Sequence, residues 1–193
     1  MNILNLGYDS TNFYLLEPET GGLLVDVGWP GTLPKLQNIC KRKGLTFQKI
    51  KYLLVTHYHP DHAGLAQEMK NQGVKLIVID IQLPFLPSLS RFMKPANQYV
   101  EISPDDNSII KASASREFLK SIWIEGEIIA TPGHSDDSVS LVLDEGSAFT
   151  GDLTPPMAAT DQAREQVEQS WAKIRALHVK TVYPGHGPLQ KIG

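Results

Sequence analysis

Residues 56–65 read THYHPDHAGL. Three histidines and an aspartate, His57, His59, Asp61 and His62, fall in the pattern H-x-H-x-D-H. Random composition rarely gives such a cluster, and imidazole with carboxylate is a donor set for first-row metal ions. The helical zinc pattern H-E-x-x-H needs its histidines four apart on one face. That arrangement is excluded here, because Pro60 lies inside the cluster. Proline blocks a helix running through, holds the residue before it extended, and is favoured at a helix's first position. The stretch therefore predicts a strand end carrying His57 and His59 on one side. A helix then opens at Pro60 with Asp61 and His62 in its first turn. Adjacent residues at a helix start point in different directions, so one short segment can feed two neighbouring metal positions.

Around this motif the periodicity alternates between strand and helix. IKYLLVT at 50–56 is a continuous apolar run, the signature of a strand covered on both faces. GLAQEMKNQG at 64–73 predicts an amphipathic helix with a glycine stop, and VKLIVI at 74–79 the next strand. Upstream, strands are expected at 2–6, 12–17 and 22–27, with PETGG at 18–22 turning between the last two. GTLPKLQNICKRKG at 31–44 predicts a helix closed by Gly44, burying Cys40 and placing Lys41, Arg42 and Lys43 at its C-terminal end. Downstream, strands are expected at 121–124 and 127–131, and a hairpin at 138–152 turning at Asp144-Glu145-Gly146. A helix over 161–178 is capped by Thr160 or Asp161, and a last strand over 181–187 runs into a loop. Two sequential groups of strands, each followed by helices, predict two sheets packed face to face with helices outside.

The 193 residues suit one domain over 1–193 with a sizeable core. A net charge of −3, with the short Lys41–Lys43 cluster read as a helix end, argues against a nucleic-acid partner. No apolar stretch approaches the length of a membrane span, and the start shows no signal-peptide pattern, so a cytoplasmic protein is expected. One cysteine allows no internal disulfide.

The other histidines decide whether the motif has partners. His134 in ATPGHSDDS and His186 in VYPGHGP each follow an apolar strand and a Pro-Gly turn, which projects the imidazole from a rigid strand edge. Asp152 closes the second hairpin strand in TGDL. His178 ends a helix and is expected in solvent.

With these residues in place, the chain resembles the metallo-β-lactamase-fold hydrolases from end to end. It is most similar to small glyoxalase II-like members without a C-terminal glutathione-binding domain. The family's motif aspartate falls on Asp26 in LLVDVG, followed by the H-x-H-x-D-H run, His134, Asp152 and His186 in the family's order. The resemblance implies an α/β fold, the four-layer αββα sandwich, with metals at one edge of the two sheets. It implies that His57, His59 and His134 hold one metal and that Asp61, His62 and His186 hold the other. Asp152 would bridge them, and Asp26 would support the site from behind. Two zinc ions are the expected cofactors, with iron or manganese possible. The implied reaction is hydrolysis of a small ester, thioester or lactone, with Asp61 orienting the nucleophile and taking its proton. Two alternatives are a persulfide-dioxygenase-like enzyme with one iron and a non-catalytic metal-binding or ligand-sensing module. The oligomeric state is not legible.

The proline-broken segment from Gln82 to Gln98 has two readings. Leu83, Phe85, Leu86, Phe92 and Met93 either cover the sheet or overhang the metals. A metal pair supplies little selectivity of its own, and long loops in compact domains are often functional. Phe85, Phe92 and Met93 are therefore candidates for an apolar substrate wall.

Overall fold

The computed structural model describes residues 1–17 and 21–192, so Pro18–Thr20 in the expected turn lie outside the described residues. The first sheet contains β1 (Asn2–Asn5), β2 (Tyr14–Glu17), β3 (Gly22–Val25), β4 (Ile50–Leu54), β5 (Lys75–Ile79) and β6 (Ser108–Ile110), in that spatial order. The first three pair antiparallel; from β3 onward the pairing is parallel. Parallel neighbours need long crossovers. These are α1 (Leu33–Arg42), then α2 (Pro60–Ala63) with α3 (Ala66–Asn71), then the stretch from Asp80 to Asn107. The chain next forms α4 (Ser115–Ser121). The second sheet holds β7 (Gly126–Ala130), β8 (Val139–Leu143), β9 (Ser147–Gly151), β10 (Thr181–Pro184) and β11 (Gln190–Lys191), ordered β11-β10-β9-β8-β7. Helix α5 (Arg164–Ala176) precedes β10.

Strand alternation divides the core into three layers of side chains. Leu54 of β4 and Ile77 and Ile79 of β5 face the second sheet, where they meet Ile128, Val139, Leu141 and Phe149. Leu53, Leu76 and Val78 face outward onto Leu36, Cys40, Met69, Leu86 and Leu89. On the far side Val142, Ala148 and Val182 pack against Val167, Trp171 and Ile174 of α5. The expected αββα sandwich is therefore present. Both faces of β4 are covered, as its unbroken apolar sequence requires.

Several local expectations fail. Residues 121–124 are not a strand. The N–H groups of Ile122 and Ile124 donate to Leu119 O at 3.0 and 2.9 Å, ending α4, and Trp123 has φ of 65°. Ile122 and Ile124 imitate strand alternation because both enter the core between the sheets. Helix α5 starts at Arg164, with Ala163 rather than Thr160 or Asp161 at the cap position. Residues 80–92 form a 3-10 helix that accommodates Pro84 and Pro87. The short edge strand β6 and the two-residue β11 were not expected. His178 is exposed, as expected, in left-handed backbone. Among the described residues no helix is long and apolar enough to cross a membrane.

Candidate metal centre

Strands β3, β4, β7, β9 and β10 all release polar side chains at one edge of the sandwich. His59 is extended (φ −98°, ψ 156°) and Pro60 opens α2, so His57 and His59 reach the cluster from the strand end and Asp61 and His62 from the first turn of the helix, with the His62 ring 4.3 Å from that of His57. His134 follows β7, Asp152 follows β9 and His186 follows β10. The seven residues named from sequence come together in three overlapping groups: His57–His59–His134, His57–His62–Asp152 and Asp61–His62–His186. Within each group the ligand atoms lie within 4.8 Å of one another.

Asp26, buried just beyond β3 with φ of 63°, organises the floor. Its Oδ1 accepts the Thr56 N–H at 2.7 Å, and its Oδ2 accepts the Thr56 hydroxyl at 2.8 Å. The same Oδ2 lies 2.9 Å from His62 Nδ1, so that nitrogen carries a proton and Nε2 is the atom that faces the cluster. With its own hydrogen committed to Asp26, Thr56 Oγ1 can only accept from His57 Nδ1 at 3.2 Å. His57 Nε2 is thereby turned toward His59. One carboxylate thus sets the tautomer of two rings.

In the first group His59 Nδ1 lies 3.1 Å from both His57 Nε2 and His134 Nε2. An ion about 2.0–2.1 Å from each nitrogen in a tetrahedral arrangement requires ligand separations of about 3.3 Å, close to that spacing. In the second group of metal donors, Asp61–His62–His186, Asp61 Oδ2 lies 3.1 Å from His186 Nε2 and 3.6 Å from His62 Nε2. Asp152 faces both groups. Its Oδ1 is 3.3 Å from His62 Nε2; its Oδ2 is 3.4 Å from His186 Nε2 and 3.7 Å from His134 Nε2. His62 Nε2 and Asp152 Oδ1 are buried without a hydrogen-bond partner. Polar atoms of a folded interior rarely stay unpartnered, and a cation between them would satisfy both. The donor set and spacing fit a bound metal ion.

The electrostatics follow the same layout. Burial pulls the His57 pKa well below its usual value, and the surrounding histidines add to the effect. Burial also lowers that of His134. Burial acts the same way on His62, but in the metal-free protein Asp26 and Asp152 overcome it and push the pKa up to about 10, a proton that a bound cation would displace. Burial would raise the Asp152 carboxyl, yet its histidine neighbours, His62 foremost, hold it below the ordinary range.

Two glycines keep the strand ends close. Gly151 has φ of 53°, and a Cβ there would run into the Thr56 side chain. A Cβ on Gly185 would sit 2.5 Å from both Asp152 Oδ1 and His62 Cε1. Neither position tolerates a side chain without moving a donor.

Two clefts flank the cluster. One, of about 330 Å³, is lined by Tyr58, His59, Phe85, Phe92, His134 and Asp136, among others. The Phe92 ring stands edge-on to His59 with centroids 5.2 Å apart, and Phe92 is 52% exposed. Phe85 and Met93 both pack onto the outer core with Leu86 and Leu89, and Phe85 also lines this cleft. The second cleft, of about 260 Å³, lies between Asp152, Leu153, Thr154, Pro155, Pro184 and His186.

Sequence reasoning missed Thr56, Thr11, Gln82 and Asp137. Thr56 adjoins the motif and could have been noticed as a hydroxyl beside a ligand. Gln82 is fully buried; its amide N–H₂ reaches Val55 O, Thr56 O and Asp137 O at 3.0, 3.3 and 3.2 Å. It ties the start of the 3-10 helix to the backbone beneath the histidines. Asp137 accepts the Tyr58 N–H at 2.7 Å. Nothing in the local pattern marks the last two.

Comparison with known proteins agrees with this geometry. The sequence model of the metallo-beta-lactamase superfamily matches residues 6–186. A beta-lactamase-like protein 2 homolog of Caenorhabditis elegans is 29% identical over 181 residues, covering 93% of this chain and 56% of the relative. An atrochrysone carboxyl ACP thioesterase of Aspergillus fumigatus is 29% identical over 184 residues, 92% of this chain and 50% of that protein. The chain thus spans little more than half the length of these relatives. Among solved structures, TTHA1623 in a di-iron-bound form superposes with a TM-score of 0.72 at 24% identity, covering 99% of this chain and 94% of that one. From the match across nearly its whole length, together with the sandwich and the edge cluster, the chain belongs to the metallo-beta-lactamase superfamily.

Proposed function

We propose that this protein is a dinuclear metal-dependent hydrolase of a small ester, thioester or lactone. The observation that carries the reading is the buried, unpartnered pair His62 Nε2 and Asp152 Oδ1, 3.3 Å apart between two groups of nitrogen and oxygen donors. His57, His59 and His134 would hold one ion. Asp61, His62 and His186 would hold the second, with Asp152 facing both. Zinc suits this donor set, with iron or manganese possible. When bound, a metal pair supplies a nucleophile from water near neutral pH and polarises a carbonyl.

The chain's own residues would do the rest. Thr11, His62 and His186 all meet Asp61 through Oδ2, which leaves Oδ1 to orient the attacking water and take its proton. Asp26 holds His62 and, through Thr56, His57, so neither ring must reorient during turnover. Phe92 and Phe85 give the cleft beside His59 and His134 an apolar wall for an acyl group. The opposite cleft, between Thr154 and His186, has room for the leaving group. A thioester is supported further by the thioesterase among the relatives.

The test is a panel of esters, thioesters, lactones and phosphoesters run on protein of measured metal content. Two ions per chain and turnover of an acyl substrate are expected. One ion at saturating metal would overturn the dinuclear reading. No turnover by the fully loaded protein would point instead to a metal-holding or ligand-sensing module.

A further inference from the structure

The second group of donors rests on a feature at the opposite end of the chain. Tyr8 and Thr11 pair through both backbone bonds, each 3.1 Å, closing a two-residue turn over Asp9 and Ser10. Both turn residues have positive φ, 50° and 69°, although neither is glycine. Such backbone persists when surrounding contacts over-determine it. Outward, Asp9 pairs with Lys35 of α1 at 2.6 Å and Tyr8 hydrogen-bonds Thr32 at 2.7 Å. Inward, the turn makes two contacts of another kind. Ser10 O lies 2.8 Å from His186 Nδ1; a carbonyl only accepts, so Nδ1 donates to it and Nε2 is turned toward Asp61 and Asp152. The Thr11 hydroxyl, 3% exposed with its residue, donates to Asp61 Oδ2 at 3.2 Å. The next residue completes the grip. Asn12 N–H donates to Gly185 O at 2.7 Å, and its side-chain amide reaches Pro184 O and Gly187 O at 3.0 and 2.9 Å. Tyr14 Oη donates to Pro184 O at 3.0 Å.

We infer that the Tyr8–Thr11 turn is a positioning device for the Asp61–His62–His186 group alone, and that the Thr11 hydroxyl tunes that group's affinity for its metal ion. None of these contacts reaches His57, His59 or His134. The turn orients the two donors of the second group that Asp26 does not touch, so the second metal position has a support that the first lacks. Asp26 sets the rings of His57 and His62, while the turn sets Asp61 and His186. A hydrogen bond to a ligand's coordinating oxygen fixes its orientation and its basicity, and removing such a partner typically weakens metal binding by about 10–100-fold. Thr11 acts through Asp61 and is a positioning residue.

The inference rests on the dinuclear reading above, and one experiment separates the two. Metal-depleted wild type, Thr11→Val and Thr11→Ser are titrated with Co²⁺, following heat and visible absorption, with near-ultraviolet circular dichroism as the check on folding. Wild type should bind in two resolved steps. In Thr11→Val one step should weaken about 10–100-fold while the other stays within twofold. Thr11→Ser, which keeps the hydroxyl, should restore the wild-type curve. Thr11→Ala, which has no branch to pack, should behave as Thr11→Val does and serves if valine disturbs folding. Equal weakening of both steps, no change in either, or failure of serine to restore the lost step would each overturn the role of the hydroxyl. A single step in wild type would overturn the dinuclear reading and the selective support with it.

Discussion

Replacing Asp26 by asparagine should unsettle the floor of the site without altering its shape. Asparagine tolerates the left-handed backbone that Asp26 adopts at φ 63°, so the substitution tests side-chain chemistry and not backbone strain. The carboxylate accepts three bonds, from Thr56 N–H, Thr56 Oγ1 and His62 Nδ1, the last two on one oxygen. An amide has one accepting oxygen. If that oxygen faces Thr56 N–H, the amide N–H₂ confronts His62 Nδ1, and the ring must present Nε2–H to the metal position. If the amide flips, its N–H₂ meets Thr56 N–H instead. Either way a buried donor loses its partner, at about 1–3 kcal/mol, and two charge-assisted bonds weaken. A total near 3 kcal/mol lowers Tm by about 6–12 °C for a chain of this size. Because Thr56 relays the effect to His57, both metal positions should weaken by about 10–100-fold. Calorimetric melting in chelator and a metal titration measure the two quantities separately. Full metal affinity with a lowered Tm would refute the claim that Asp26 sets the tautomers and leave it a role in folding only.

Other consequences are directly measurable. Phe92→Ala should reduce kcat/KM for bulky acyl substrates by roughly 10–200-fold while leaving small ones, metal content and Tm near wild type, because the ring is half exposed; a fall in Tm with unchanged selectivity would place Phe92 in the core. The metal-free protein should be most stable near pH 6.5. Above that pH, His62 holds in the fold a proton the unfolded chain gives up, so its stabilising contribution, complete below 6.5, is lost as pH rises toward about 10. Below 6.5 the unfolded chain protonates His57 and His134 more readily than the fold does, so stability also falls on acidification. Denaturant unfolding in chelator from pH 5 to 10 checks both slopes, and a steady rise of stability from 6.5 to 10 would contradict the charged state assigned to His62.

Much of the fold and cluster could be read from the sequence because each depended on local chemistry. The apolar run at 50–56, the Pro60 break and the Pro-Gly turns before His134 and His186 constrain the backbone within a few residues. What escaped depended on contacts between distant segments. Trp123 takes left-handed backbone at the end of a helix whose core-facing isoleucines alternate like a strand, and periodicity cannot separate those cases. Thr11 lies 50 positions from Asp61 along the chain, and Gln82 meets Asp137 across 55. A threonine in a turn and a glutamine after a strand look like ordinary solvated residues until the sheets are assembled. Phe85, Phe92 and Met93 look alike as apolar residues of one segment, because composition does not say which face each residue takes.

The two sheets do not contribute equally to the edge cluster. His57, His59, Asp61 and His62 come from the strand end and helix that follow β4 in the first sheet, and His134, Asp152 and His186 from the second. Ions held there would act as rivets between the halves of the sandwich, closing loops that run through most of the chain. The last donor, His186, lies beyond every strand except the two-residue β11. During synthesis the four donors near position 60 emerge long before their partners, so a nascent chain can offer a metal only part of a site. Capture at full strength would wait until β10 docks beside β9, which would make metal retention a readout of completed assembly.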